Sequence, residues 1–524
     1  MRDDSTNRAP VAGREVASRR GAFRVAITLF FLAGVLFPAS PSVRAQTPAW
    51  PGNNYLGQFP PPAPPPKAYV LPAPAVRTLP NGLRVVVIAR HDLPLLTLRM
   101  VVLAGAESDP PDAPGTAQMV TALLNQGTAH RTAEQIATAI DRAGGSIDTG
   151  AGWDSSYATL SVLSDYSPTA FDLLSDMLMR SSFTPAELAR KRRQTISALK
   201  IAYQDPGYLA DTAFEDLAFS GTSYGHPQDG TLESVQGLDS ANLRAFHSRY
   251  YRPGNSILAA VGDITPDQAF ALAQKFFGAW EGKTANDVRS EAAAPAPLAS
   301  DSTRIIAIDK PDAVQTEIRV GDQGISRASD DYYALTVANQ ILGGPAANRL
   351  FTALRTRRGL AYGVSSELNC YRAAGSWETK TSTRTSETFK VLKVILNERR
   401  QLYRHAITDT ELKVAKSYLV GHLALEFESS DSVAEKVLDL MVHGLPLDYW
   451  DEFPARIRSL TVSDVQPAIR RHMEPERPVV VLVGNVGEFK EDLKKLGAAR
   501  IIPIASVDFG SANLERPLKP ADKP

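Results

Sequence analysis

The sequence predicts an α+β fold of two similar domains in tandem, each with a largely antiparallel sheet covered on one face by helices. Three observations support this prediction. Each half of the chain opens with strand-like alternation and continues with amphipathic helical patterns, which is typical of α+β domains. Residues 284–302 lack periodicity and are rich in Ala, Pro and Ser, which indicates a linker between the halves. At 524 residues the chain is also too long for one ordinary core.

The strands and helices follow the same order in both halves. Alternation of apolar residues predicts the opening strands, at residues 83–89, 95–102, 304–308 and 316–320. Helical periodicity predicts the helices that follow, at residues 133–142, 185–201, 332–342 and 410–427. A β-branched strand closes each half. The Thr-x-x-Glu-Leu segment at 184–188 recurs at 408–412, and the strand ending at Gly262 recurs as the strand ending at Gly484. Because the two segments recur at nearly the same distance along the sequence, they indicate a duplicated domain.

The first 45 residues have the composition of a secretory signal peptide. An arginine-rich stretch precedes an apolar run at residues 25–37, which is too short to span a bilayer comfortably. Val43 and Ala45 are small residues suited to cleavage after Ala45. The sequence therefore predicts export to the periplasm, with an N-terminal membrane anchor facing the periplasm as the alternative. The Arg19-Arg20 pair leaves the choice between Sec and twin-arginine export open.

The domain boundaries follow from composition. The proline-rich residues 46–75 predict an extended polyproline II tether. We then expect an N-terminal domain over residues 76–283, the linker over 284–302, a C-terminal domain over 303–500 and a C-terminal tail over 501–524.

Charge and cysteine content exclude several classes of protein. Basic and acidic residues number 57 each, so nothing indicates nucleic acid or an anionic membrane surface as a partner. The only cysteine, Cys370, excludes an intrachain disulfide and a cysteine-based metal site. It also lies far from the N-terminal segment, so no lipoprotein acylation site is present there.

The segment at 115–128 reads Gly-Thr-Ala-Gln-Met-Val-Thr-Ala-Leu-Leu-Asn-Gln-Gly-Thr. In frame, length and glycine positions it resembles the signature helix of the pitrilysin/insulinase family, the inverzincins, whose pattern is G-x-A-H-x-x-E-H-x-x-x-x-G-T. Residues at i, i+3 and i+4 share one helix face, so the family helix presents two His ligands and a Glu general base to zinc. Here the three positions are Gln118, Thr121 and Ala122. Alanine cannot bind zinc, and a neutral threonine cannot take a proton from metal-bound water.

The resemblance covers roughly residues 76–500 and rests on further segments in the family order. These segments are Leu79-Pro80-Asn81-Gly82-Leu83, Tyr224-Gly225-His226-Pro227, and the stretches at 246–263 and 341–362. It implies two homologous α/β-roll domains in one chain. It also places the third family zinc ligand at Ala198, on the helix predicted at 185–201. Since the eight histidines include no pair at i, i+3 or i+4, we expect no metal in this chain. The basic run at 190–193 is interpreted as a solvated helix face.

A second group of candidate residues lies in the C-terminal half. Residues 348–358 predict a helix, with Gly359 at the position after its end where a positive φ is favoured. The resemblance implies that Arg355 and Tyr362 form the pair that reaches across a closed chamber to the substrate. A guanidinium fork and a phenol hydroxyl suit a polarised carbonyl or its oxyanion. The alternative is that the arginines of this helix complement its dipole and that Tyr362 is a core aromatic residue.

Two glycine pairs are further candidates. Gly343-Gly344 precedes a helix and is interpreted as a flexible turn near a peptide-binding cleft, because no phosphate motif accompanies it. Gly144-Gly145 precedes a strand that resembles the exposed edge where a substrate peptide adds in this family. Asp148 and Asp154 depart from the family pattern there, so no individual contact is assigned.

Bacterial two-domain members of the family often work as unlike pairs, one chain with zinc and the other with the Arg/Tyr pair. We therefore expect a non-zinc-binding subunit of an exported heterodimeric zinc metallopeptidase that acts on peptides or unfolded proteins. Zinc, its ligands and the general base would belong to a homologous partner chain. The alternative is a catalytically inactive structural, assembly or peptide-binding scaffold protein of the same fold.

Overall fold

Two six-stranded sheets organise the part of the chain that this computed structural model describes, residues 72–282, 304–345, 347–511 and 514–516. The expected signal peptide, nearly all of the expected tether and the expected linker lie outside these residues. None of the helices in the described ranges is both long enough and apolar enough to cross a membrane.

The N-terminal sheet has the strand order β1-β2-β6-β3-β5-β4. Its strands are β1 Ala75–Thr78, β2 Arg84–Ala89, β3 Leu95–Val102, β4 Ser146–Ala151, β5 Ser156–Leu163 and β6 Ser256–Gly262. All neighbours are antiparallel except β2 and β6, which are parallel. The helices of this half are α1 Thr116–Leu123, α2 Ala133–Arg142, α3 Ser167–Arg180, α4 Pro185–Ala202, α5 Pro206–Ala218, α6 Leu232–Gly237, α7 Ser240–Tyr250 and α8 Pro266–Phe277.

The C-terminal sheet has the order β12-β7-β11-β8-β10-β9. Its strands are β7 Ile305–Asp309, β8 Gln315–Gln323, β9 Val364–Cys370, β10 Gly375–Arg384, β11 Val479–Gly484 and β12 Arg500–Pro503. The helices of this half are α9 Tyr332–Gly343, α10 Arg349–Phe351, α11 Thr388–Arg404, α12 Asp409–His422, α13 Ser430–Val442, α14 Tyr449–Ser459, α15 Val462–His472 and α16 Lys490–Leu493.

The two sheets share their topology, so the prediction of two homologous α+β domains in tandem is confirmed. Both Thr-x-x-Glu segments begin a long helix. Thr184 accepts the Glu187 N–H at 3.4 Å, and Thr408 accepts the Glu411 N–H at 3.2 Å. The sheets differ at one edge, where β1 lies antiparallel to β2 and β12 lies parallel to β7. The boundary expected at residue 500 falls at the first residue of β12, so the C-terminal sheet includes residues that we assigned to the tail.

The expectation that each sheet is covered on one face is wrong, because a helix from each half packs on the second face of the other half's sheet. Helix α5 of the N-terminal half packs on β8 and β11, where Phe214 is buried with Val481. Helix α13 of the C-terminal half packs on β3 and β6, where Val437 is buried with Val261. The sequence signal for this was the unbroken apolar run of β6 and β11. All residues of both strands are buried, as expected for strands covered on both faces.

A buried charge cluster joins the two halves. Arg372, in the C-terminal half, contacts Glu107 at 3.0 Å between Nη2 and Oε1. The backbone N–H of Arg372 donates to Asp154 Oδ2 at 2.8 Å, and the Tyr224 hydroxyl donates to Asp154 Oδ1 at 2.6 Å. Burial, and to a smaller extent the neighbouring Asp154 carboxylate, raise the pKa of Glu107 to about 7, although the Gly105 N–H and Arg372 act in the opposite direction. Contacts between the halves are therefore polar as well as apolar.

Candidate functional site

Helix α1 is held in place by a glycine and a buried carboxyl group. Gly115, at its start, has a φ of +89°, and a Cβ there would lie 2.8 Å from the carbonyl oxygen of Asp229. The Asp109 carboxyl accepts the N–H groups of Gly115 at 2.7 Å and Ala117 at 2.8 Å. These bonds satisfy amides of the first helical turn, which have no partner within the helix. Burial raises the pKa of Asp109 to about 8.

The structure brings together the four positions that the resemblance equates with the family's metal site. Gln118, Thr121 and Ala122 on α1, and Ala198 on α4, line one cavity of about 410 Å³. Helices α1 and α4 pack on each other, which places Ala198 opposite the α1 residues. The roles of these residues stay a prediction, since the geometry gives only their positions.

The polar side chains at these four positions form hydrogen bonds within the chain. Gln118 Nε2 donates to the carbonyl oxygen of Ala151 at 3.0 Å, and the Ala151 N–H donates to Gln118 Oε1 at 3.2 Å. The fully buried Thr121 hydroxyl donates to the backbone oxygen of Gln118 at 2.9 Å. Ala122 and Ala198 contribute only methyl groups.

These residues do not fit zinc. Zinc sites in proteins use thiolate, imidazole or carboxylate ligands, and a catalytic site needs three of them. An engaged carboxamide, a buried neutral hydroxyl and two methyl groups supply none. Elsewhere in the described ranges, no three His, Cys, Asp or Glu side chains are grouped so that they could hold a metal ion. The four positions therefore offer no ligand set for a catalytic metal.

We expect the purified mature chain to contain no stoichiometric zinc, because methyl, hydroxyl and carboxamide groups occupy the four positions. Elemental analysis after washing with a chelator would check this. A content of about one zinc per chain would show that the segment at 115–128 has been misaligned.

Restoring zinc should require Gln118→His, Thr121→Glu, Ala122→His and Ala198→Glu together, since three ligands and a base are needed. We expect only weak binding, because a carboxylate at the buried position 121 would be desolvated. Calorimetric titration with zinc measures the affinity. Tight binding without Ala198→Glu would mean that the third ligand position lies elsewhere.

The basic residues of α4 are not a uniform solvated face. Arg190 forms an ion pair with Glu187 at 2.8 Å and donates to Gln126 Oε1 at 2.5 Å. Arg192 donates to the backbone oxygen of Leu238. Arg193 is exposed, as we expected for the whole run. Two of the arginines therefore fix α4 against neighbouring segments.

The helix predicted over residues 348–358 is partly a π-helix. Helix α10 continues as a π-helical turn, Thr352–Thr356, in which the Arg357 N–H donates to the Thr352 oxygen at 3.0 Å. Gly359 ends it with a φ of +59°, as predicted. Arg355 is exposed on this turn, whereas Leu354 is buried. Arg358 Nη1 donates to the Ala353 oxygen at 2.7 Å, in line with a helix-terminal role.

Arg355 and Tyr362 lie against each other on the surface. The guanidinium carbon of Arg355 is 4.9 Å from the centroid of the Tyr362 ring and 4.9 Å from that of Phe351. Tyr362 is 87% exposed, which excludes the alternative of a core aromatic residue. Within the described ranges, neither side chain forms an ion pair or a hydrogen bond. The guanidinium and hydroxyl donors are therefore available to a ligand.

The Gly343-Gly344 turn is required by a close approach. A Cβ on Gly343 would lie 2.7 Å from Ser366 on β9. The Gly344 oxygen accepts Asn348 Nδ2 at 2.6 Å, so this turn supports the start of α10.

The strand after Gly144-Gly145 is β4, at the edge of the N-terminal sheet, as the resemblance implied. Asp148 is exposed on this edge. Asp154 is instead buried in the cluster between the halves, a position that sequence reasoning missed. No sequence pattern links Asp154 to Arg372, which lies 218 residues away.

Comparisons with known proteins agree with this fold. A family model described as "Insulinase (Peptidase family M16)" matches residues 84–231, and one described as "Peptidase M16 inactive domain" matches residues 237–419. An uncharacterized zinc protease of Streptomyces coelicolor is 26% identical over 411 residues, which cover 78% of this chain and 88% of that protein. A protein of Helicobacter pylori named a non-peptidase homolog is 24% identical over 401 residues, which cover 75% and 90% respectively.

Solved structures also share the fold of this chain. A Pseudomonas fluorescens structure described as a peptidase M16 inactive domain has a TM-score of 0.74 and 29% identity, and the match covers 79% of this chain and 98% of that chain. A Helicobacter pylori protease has a TM-score of 0.73 at 19% identity, covering 79% and 100% respectively, and shows the shared fold.

The fold and the matched models define a two-domain protein of the insulinase class, and the chain belongs to the M16 peptidase family. Its likeness to proteins described as inactive or non-peptidase is consistent with a non-catalytic member of that family.

Proposed function

We propose that this chain is the non-zinc-binding subunit of an exported heterodimeric zinc metallopeptidase that acts on peptides or unfolded proteins. The observation that carries the proposal is the contrast between its two sites. The four positions beside α1 that the resemblance equates with the metal site carry no group suited to zinc, whereas Arg355 and Tyr362 are exposed with their donors available. A homologous partner chain supplies two His ligands, a Glu ligand, a Glu base and the zinc.

In this arrangement Arg355 and Tyr362 stabilise the reacting carbonyl of the substrate. The planar guanidinium offers several N–H donors, and the phenol offers one O–H donor. The contact of Arg355 with the Tyr362 and Phe351 rings limits the positions of both donors before substrate arrives. Donors held in place stabilise the negative charge that develops on the carbonyl oxygen during attack by water.

The test is reconstitution with a homologue that carries an intact H-x-x-E-H motif, encoded by a neighbouring gene. Both chains are purified separately and assayed alone and mixed on a fluorescein-labelled casein. We expect cleavage only from the mixture, and a stable complex on size-exclusion chromatography. Equal activity of one chain alone and of the mixture would contradict the proposal.

Localisation is part of the proposal, with the mature chain in the periplasm and an N-terminal anchor as the alternative. Fractionation of cells, with and without the first 45 residues of the chain, distinguishes the two. A periplasmic fraction free of membrane supports cleavage of the signal. Retention in the membrane after a carbonate wash supports the anchor.

A second function is a non-catalytic scaffold that binds peptides or assembles with other proteins. The likeness to a protein named a non-peptidase homolog favours it, as does the edge strand β4. This function predicts that Arg355 and Tyr362 are dispensable. Substitution of both residues without an effect on the biological role of the chain would favour the scaffold.

A further inference from the structure

The ladder between β4 and β5 determines which backbone groups of β4 point toward the open edge of the sheet. The hairpin between β4 and β5 closes with the Gly152 N–H donating to the Ser155 oxygen at 2.8 Å. Since hydrogen-bonded and non-hydrogen-bonded pairs alternate in an antiparallel ladder, the pair of Ala151 with Ser156 is of the second kind. The N–H and C=O of Ala151 therefore point away from β5, and those of Ile147 and Thr149 do so as well.

One of these three positions is already filled. The carboxamide of Gln118 donates its N–H to the Ala151 oxygen at 3.0 Å and accepts the Ala151 N–H at 3.2 Å. A carboxamide that donates and accepts in this way reproduces what the peptide group of an added strand would do. The edge groups of Ile147 and Thr149 have no such partner on their open side in the described part of the chain.

We propose that the Gln118 side chain is an internal substitute for a peptide group, and that it competes with a bound peptide for Ala151. An extended peptide then pairs with β4 at Ile147 and Thr149 and ends before Ala151. This inference rests on the proposed peptide-binding function, and it names the class of ligand as a peptide in strand conformation. Thr149 and Gln118 line the same cavity, so a side chain of such a peptide would enter it.

The occupant follows from the chemistry of the contact. Both bonds of Gln118 go to backbone atoms of an edge strand, and no side chain of the strand takes part. A ligand that replaces Gln118 must offer one N–H and one C=O side by side, which an extended peptide does at every second residue. Side chains of the peptide then add selectivity through the neighbouring cavity.

The experiment compares the full mature chain with Gln118→Ala and Gln118→Glu. The probe is a fluorescein-labelled octapeptide of alternating Thr and Val, and its binding is measured by anisotropy. Hydrogen exchange of residues 146–152 is measured on the same proteins with single-residue resolution. Gln204→Ala serves as the matched control, because Gln204 is an exposed glutamine outside the cavity and the strand.

With Gln118→Ala, we expect the Ala151 amide to exchange roughly tenfold faster or more in the free protein, since it loses its acceptor. We expect the octapeptide to bind roughly three- to tenfold tighter, because one more pair of backbone hydrogen bonds becomes available to it. Gln118→Glu keeps an acceptor for the Ala151 N–H but lacks the donor, so its effects should be intermediate. Gln204→Ala should match the unsubstituted chain in both measurements.

The possible failures are distinguishable. If the unsubstituted chain protects Ile147 and Thr149 when the octapeptide binds, and Gln118→Ala binds it no tighter, the competition is wrong while peptide binding stands. An unchanged exchange rate of Ala151 in Gln118→Ala would equally overturn the inference. If neither protein protects Ile147 and Thr149, binding of peptides at this edge is itself wrong, and the inference falls with it.

Discussion

Tyr362→Phe is expected to lower the kcat of the reconstituted heterodimer by on the order of 10²–10³, the usual loss when one oxyanion donor is removed. The substitution removes a hydroxyl and keeps the ring that Arg355 contacts at 4.9 Å. Because Tyr362 is 87% exposed, the free energy of unfolding should barely change. Arg355→Lys keeps the positive charge but loses the planar set of donors, so it should also impair turnover.

The measurement is single-turnover kinetics with saturating partner chain, together with thermal unfolding of each variant. Arg357→Ala is the control, because Arg357 is exposed two residues from Arg355. We expect Arg357→Ala to be close to neutral. An unchanged kcat for Tyr362→Phe, or a larger loss for Arg357→Ala, would transfer support to the scaffold function.

Arg372→Met should destabilise the chain by about 3–5 kcal/mol at pH 8, because it leaves the buried Glu107 and Asp154 carboxylates without their cation. The deficit should shrink at pH 5. Glu107 has a pKa raised to about 7 in the folded chain, so the folded state binds more protons than the unfolded state between about pH 4.5 and 7. Its contribution to stability is therefore present at low pH and lost as the pH rises through 7.

Urea unfolding at pH 5 and pH 8 measures both the deficit and its pH dependence. Arg193→Met is a suitable control, since Arg193 is exposed on α4. A deficit that is equal at the two pH values would mean that the ionised Glu107 does not depend on Arg372. A deficit that grows at pH 5 would contradict the direction of the pKa shift.

Local sequence patterns predicted the elements well. The expected helix at 133–142 and the expected strand at 95–102 match α2 and β3 at both ends. Capping residues account for part of this success, since Thr132 forms a capping box with Gln135 at the start of α2. The region expected to be helical over 410–427 becomes a 3-10 helix after His422. Fraying of this kind at helix ends is not encoded in apolar periodicity.

Contacts between distant segments could not be predicted. The family resemblance placed Gln118 at a ligand position, but only the structure shows that its carboxamide binds Ala151. Likewise Arg372 meets Glu107 because α5 and α13 bring the two halves together, and no local pattern specifies that docking. A single sequence specifies each helix through nearby residues, whereas these pairings depend on the whole arrangement of the sheets.

The exchange of α5 and α13 between the halves has a mechanical consequence. A hinge motion that separated the two sheets would pull α5 and α13 away from the sheets that they cover. Exposing these apolar faces to water would cost about 25 cal/mol per Å². We therefore expect the two halves of the chain to stay together during such a motion. On the proposed function, the mouth that admits a substrate must open between this chain and its partner. The rate of opening is then set by the contact between the two subunits, and a cross-link across that contact would trap or exclude substrate.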